Sequence, residues 1–151
     1  MKTFVVLAVS IVLMSILFCP MVMAAPPSMP DDLQMVQPDP SLPKELSAFF
    51  GKWEYTFDRV HFATAHRETI SATRQLFVIV EKIDEEKASL YIWRGGSWPE
   101  GTPLGWVRRE FKVISDRGKY KLDFGSTEYT LKGEFLVVSI PSGSWELRRV
   151  P

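Results

Sequence analysis

The chain has 151 residues, 18 basic and 18 acidic side chains, and one cysteine. Its formal net charge of zero lacks the basic excess on which nucleic-acid binding and polybasic membrane-surface binding depend. This length bounds the chain to one domain with a sizeable core, and a single cysteine excludes an internal disulfide.

Residues 1–24 read as a signal peptide. Lys2 supplies the positive end, Phe4 to Phe18 is apolar apart from Ser10 and Ser15, and Val22-Met23-Ala24 offers a cleavage site. Pro26 disfavours a cut after Ala25. The rival reading is an uncleaved anchor, because residues 4–25 approach the length of a bilayer span. Lipidation at Cys19 is set aside, since the bulky Phe18 precedes it and Pro20 follows. Cleavage removes Lys2, the cysteine and the only candidate membrane segment. The protein is then expected to be exported, periplasmic or extracellular, with its core alone to stabilise it.

Residues 25–41 read as a disordered tether. Pro26, Pro27, Pro30, Pro38 and Pro40 fix φ and remove donors, so the segment should be extended. Met29, Leu33, Met35 and Val36 offer an alternative, a path across the mouth of the domain. A folded domain is expected over 42–151. Its first element is one short helix, with Ser41 as N-cap, Pro43 in the first turn, Gly51 just past the end, and Leu42, Leu46, Phe49 and Phe50 on one face.

From Trp53 the apolar period drops to two. Trp53, Tyr55 and Phe57 share a face, and residues 61–72 read as a polar loop or wide turn. Strands are predicted over Thr73–Ile83, Lys87–Arg94, Leu104–Ser115, Lys119–Phe124, Ser126–Leu131, Glu134–Ile140 and Ser144–Val150. Hairpin-length turns join most of them, while Gly95 to Pro103 is a longer connection rich in turn residues. About eight strands with regular spacing predict an all-β, antiparallel up-and-down meander. Closure into a barrel removes its free edges. Tyr55, Phe57, Tyr91, Trp93, Phe111, Tyr120 and Tyr129 are candidate inward positions that either fill the lumen or line a shallow pocket, with lysines and arginines outward.

On five stretches the chain resembles the lipocalin-like, or calycin-type, β-barrels, nearest to small exported bacterial domains of unestablished activity. These are Leu46-Ser47-Ala48-Phe49-Phe50-Gly51-Lys52-Trp53, Val80-Glu81-Lys82-Ile83-Asp84, Ser89-Leu90-Tyr91-Ile92-Trp93, Gly105-Trp106-Val107-Arg108-Arg109 and Trp145-Glu146-Leu147-Arg148-Arg149. The resemblance covers residues 42–150. It implies that Gly51 and Trp53 stand at the closed end of a barrel, with Arg148 or Arg149 from the last strand packed over the indole. The shorter strands and the absence of disulfides and of a long C-terminal helix argue against a large lipid-sized cavity.

Catalytic signatures are lacking. There is no Gly-x-Ser-x-Gly elbow, no cysteine outside the leader, and no phosphate loop at Gly95-Gly96. His61 and His66 are five apart in a polar stretch and read as solvated loop residues, so no metal site and no cofactor is expected. Glu81, Asp84, Glu85 and Glu86 read as a soluble turn rather than a carboxylate pair. Five tryptophans are the remaining signal. Trp53 and Trp145 read as core packing, whereas Trp98 sits in a loop as a lid, a plug or a stacking platform. The candidate ligand-binding residues are therefore Tyr91, Trp93, Trp98, Trp106 and Arg108. The expected function is non-catalytic binding of a small apolar or aromatic ligand. The alternatives are a carbohydrate- or envelope-binding module and a structural or protein-interaction domain with a filled barrel.

Overall fold

The computed structural model describes residues 27–63, 69–96, 98, 100–141 and 143–151, with the side chains of 56–63 and 69–73 set aside. The signal-peptide reading and His66 lie outside the described residues. Eight antiparallel strands follow in chain order and close into a barrel: β1 (Gly51–Ala63), β2 (Thr69–Ile83), β3 (Lys87–Gly96), β4 (Gly105–Asp116), β5 (Lys119–Phe124), β6 (Thr127–Lys132), β7 (Phe135–Ile140) and β8 (Gly143–Val150). One short helix, α1 (Lys44–Ser47), precedes them. The all-β meander expected from the periodicity is the observed fold.

Alternation sets the interior. On β2 the inward row is Arg74, Leu76, Val78 and Val80, and opposite it β3 presents Leu90, Ile92 and Arg94. Phe111 and Val113, Leu122, Tyr129, Leu136 and Val138, and Leu147 continue the core around β4 to β8. Phe111 and Tyr129 meet edge to face with ring centroids 4.9 Å apart, filling the middle of the lumen. Each fully buried aliphatic or Phe side chain contributes about 1.5–3 kcal/mol, so this packing is the main source of stability.

The closed end is built by the opening phrase of the domain. Leu42, Leu46 and Phe49 are buried against the barrel core. The Trp53 indole Nε1–H donates to the Phe49 carbonyl at 2.9 Å. Trp53 and Arg149 are direct partners across β1 and β8, and the guanidinium stands 4.3 Å from the indole centroid. Its Nη1 and Nη2 donate to the carbonyls of Phe50 (2.8 Å) and Ala48 (2.5 Å). Closure therefore belongs to Arg149. Arg148 faces the other way, 6.0 Å from the Phe135 ring. Gly51 is required because its φ is +125° and a Cβ there would lie 2.7 Å from Arg149 Nη1.

Three local expectations are corrected. Ser41 does not cap the helix: its N–H and hydroxyl both donate to Asp39 Oδ1, and Pro43 takes the cap position. The helix is correspondingly shorter than Leu42–Phe50, because looser i+3 bonds from Phe49 and Phe50 carry the chain into β1. Residues 61–72 are not mainly loop either. His61 pairs with Ser71, Phe62 with Ile70 and Ala63 with Thr69, so β1 and β2 run on as a two-stranded arm. At 13 and 15 residues these strands outreach the six-residue β5 to β7.

At the β2–β3 turn Asp84 Oδ1 accepts from the N–H groups of Glu86 and Lys87, both at 2.9 Å. Burial works to raise this carboxyl, but the two donors hold it below the usual carboxylate range.

Candidate functional site

The open end carries the β3–β4 loop and the β5–β6 turn. There the inward rows change character. On β2 the row Val80-Val78-Leu76 ends in Arg74, and on β3 the row Leu90-Ile92 ends in Arg94. Trp98, from the β3–β4 loop, lies across this mouth. Its Nε1–H donates to the Gly95 carbonyl at 2.9 Å, which fixes the ring. The guanidinium carbons of Arg74 and Arg94 stand 5.4 and 5.9 Å from its centroid, within cation–π range. Trp145, inward on β8 and paired with Val138, meets Trp98 edge-on at 6.0 Å.

These residues enclose a cavity of about 210 Å³, floored by Leu76, Tyr129 and Val138 and edged by Thr102, Thr127 and Ile140. It is smaller than the ~300–1,000 Å³ typical of drug-sized ligand sites, and suits one ring with a substituent. Burial drives the Tyr129 phenol well above its ordinary range while Arg94 pulls the other way, so it is neutral across physiological pH.

Of the five candidate ligand-binding residues, Trp98 alone reaches this pocket. Tyr91, Trp93, Trp106 and Arg108 occupy the outer wall, opposite in parity to Leu90, Ile92 and Arg94. Tyr91 and Trp93 are thus not inward positions. Phe77 and Trp93 meet edge to face at 5.5 Å, and Tyr91 and Trp106 do so at 6.4 Å.

This apolar exterior is covered by the N-terminal proline-rich segment. Trp106 Nε1–H donates to the Ser28 carbonyl at 2.7 Å, and Val36 N–H donates to the Glu81 carbonyl at 2.8 Å. Pro27 and Met29 line one crevice together with Phe77, Ile79 and Trp106. Residues 27–36 therefore run along the wall of the barrel without regular secondary structure, and not across its mouth.

The outer wall also explains Arg108. It pairs with Glu81, a side chain only 4% exposed that the bulge between Val80 and Lys82 leaves out of register. Arg108 also sits 5.5 Å from the Tyr91 ring. It does not pair with Glu110, which binds Lys87 at 3.2 Å. Glu81 Oε2 and the Tyr91 hydroxyl are buried without a hydrogen-bond partner among the described residues.

Burial and then the nearby Asp32 carboxylate push the Tyr91 phenol up to about 12. A raised phenol is neutral in the fold at a pH where the unfolded chain already ionises. Stability from this group is thus complete below about pH 10 and is lost as pH rises toward 12. Ultraviolet titration should show late-ionising tyrosines, of which Tyr91→Phe removes one with a stability change of less than about 1 kcal/mol, since the only acceptor near the deleted hydroxyl is the Asp32 carboxylate. A loss of several kcal/mol would contradict the contact geometry.

Arg74, Arg94 and Trp145 were not among the sequence candidates for the pocket, whereas Tyr129 was one of the candidate inward positions and does line it. Parity was the signal: Arg74 stands two before Leu76 and Arg94 two after Ile92. Among the described residues no cluster of three or more His, Cys, Asp or Glu could hold a metal ion, and no helix is long and apolar enough to cross a membrane. No protein-family model matches the chain, and no curated protein or solved structure is significantly similar to it.

Proposed function

We propose that this protein is an exported, lipocalin-like, non-catalytic binder of a small aromatic or apolar molecule, seated at the open end of the barrel. The observation that carries the reading is the cavity of about 210 Å³ beside Trp98, held open above a packed core. Trp98 and Trp145 supply aromatic surface, and Leu76, Val138 and Ile140 supply an apolar floor and edge. The lower lumen is filled by Phe111, Leu122 and Leu147, which favours one ring over a lipid chain. The carbohydrate-platform alternative has less support, because Trp93 and Trp106 are half-buried and the N-terminal segment runs over their wall.

The test is tryptophan fluorescence and native mass spectrometry of the purified protein against a panel of small aromatic compounds, with glycans and lipids as comparison. One-to-one binding that changes the emission, with the response lost in Trp98→Ala, is the expected result. Binding of glycans or lipids in preference to single-ring compounds, or a response unchanged in Trp98→Ala, would contradict the proposal.

A further inference from the structure

The outer wall of β2, β3 and β4 is a second built surface, separate from the pocket at the open end. We infer that it is a recognition groove for an extended, proline-containing acidic segment. The chain's own residues 27–36 occupy it in cis, so a partner segment of the same chemistry binds by displacing them.

Two cross-strand rows make the groove: Phe77, Trp93 and Trp106 in one, and Ile79, Tyr91 and Arg108 in the other. The first is aromatic throughout, and the second ends in a guanidinium. The segment that lies on them follows this division. Pro27 and Met29 share a crevice with Phe77, Ile79 and Trp106, whereas Asp32 stands near the Tyr91 hydroxyl and Arg108. Pro27, Pro30 and Leu33 are half-buried and the residues between them exposed, a period of three. Polyproline II has three residues per turn, which puts Pro27 and Pro30 on one edge. A turn in which the Leu33 N–H donates to the Pro30 carbonyl at 3.2 Å brings Leu33 back to the same side. Aromatic-lined grooves that recognise proline segments use this geometry.

A closed barrel offers no strand edge, so a peptide cannot join it by β-addition, and its backbone must be held at single points. The Trp106 indole is one such point, donating to the Ser28 carbonyl. The other is the Glu81 carbonyl, which the bulge between Val80 and Lys82 frees to accept from Val36. Both contacts are to main-chain groups, so they are indifferent to whose chain supplies the segment. The cis segment forms no helix or strand, and its Met35 and Val36 side chains are exposed rather than committed to the wall. Its advantage over a free peptide is its tether.

The test uses the purified protein, wild type and the double variant Leu33→Asp/Val36→Pro, with a synthetic peptide of residues 27–36 as probe. The two substitutions remove a half-buried apolar side chain and the N–H that reaches Glu81, and leave the wall itself unaltered. In nuclear magnetic resonance spectra of the variant, the Trp106 indole should move from its wild-type position while Trp98 and Trp145 keep theirs. Added peptide should return Trp106 toward the wild-type position. Fluorescence anisotropy of labelled peptide should show binding at least about tenfold weaker to the wild-type protein, whose tethered segment competes. The peptide with Pro27→Ala and Pro30→Ala should also bind the variant at least about tenfold more weakly. An unmoved Trp106, a variant that does not fold, no return on adding peptide, or equal binding of a scrambled peptide would each overturn the inference. None of these results concerns the pocket beside Trp98, so the two readings stand or fall separately.

Discussion

Trp53→Ala is expected to lower the unfolding free energy by about 3–5 kcal/mol, the range for truncating a buried tryptophan. Trp53 is 2% exposed and joins the Phe49 carbonyl before β1 to the Arg149 guanidinium of β8. Its loss empties a ring-sized space between α1 and the strands and cuts the indole bond to the Phe49 carbonyl. It also strips the guanidinium of Arg149 of the surface on which it lies, although that group keeps its carbonyl acceptors on Phe50 and Ala48. Trp53→Phe retains most of the volume and a ring for Arg149, and forfeits one hydrogen bond, so it should cost only about 1–2 kcal/mol. Urea denaturation of the two variants checks both figures. A cost below about 1 kcal/mol for Trp53→Ala would mean that the opening Gly-x-Trp does not hold the barrel shut.

Arg108→Ala should destabilise by about 1–3 kcal/mol, because it strands the Glu81 carboxylate in a buried position with neither oxygen paired. The figure stays below the 3–5 kcal/mol of a fully buried pair, because 57% of the Arg108 side chain is open to water that screens the interaction. The reverse change, Glu81→Gln, leaves an arginine that water can solvate and should cost less. That asymmetry is the diagnostic feature. Glu81 also holds the N-terminal segment through its backbone carbonyl, which accepts from Val36. Arg108→Ala is therefore expected to expose residues 27–36 to limited proteolysis before the barrel itself unfolds. Equal destabilisation by the two single substitutions, with no change in cleavage of this segment, would contradict the arrangement.

Strand order and closure were legible because hairpin turns sit between runs of period two, and the meander follows from them with little ambiguity. Trp53 and a terminal arginine were expected as a closure only through the resemblance to lipocalin-like barrels, and the register of β8 on β1 distinguishes Arg149 from Arg148. The site was much less legible. β3 reads Leu90-Tyr91-Ile92-Trp93-Arg94, apolar on both faces, so alternation alone does not say which face is inward. The outer face is apolar because residues 27–36 cover it, a contact between segments far apart in the chain. Large aromatic side chains drew attention to Tyr91 and Trp93, when the residue that turns into the pocket is the arginine beside them. Trp145 looked like ordinary core because its partner across the mouth, Trp98, arrives from a loop whose path no periodicity encodes. Trp98 was found for a different reason: a tryptophan among glycine, serine and proline has no strand face of its own to bury against, and in this barrel it rests on the open end of the lumen.

The central claim is that the ligand occupies the open end and not the covered outer wall, and the five indole N–H resonances of the protein report on both regions at once. Titration with a single-ring aromatic compound that binds the protein, followed by nuclear magnetic resonance, should shift Trp98 and Trp145 while Trp53, Trp93 and Trp106 stay in place. Shifts confined to Trp93 and Trp106 would put the binding surface beneath the N-terminal segment and contradict this account.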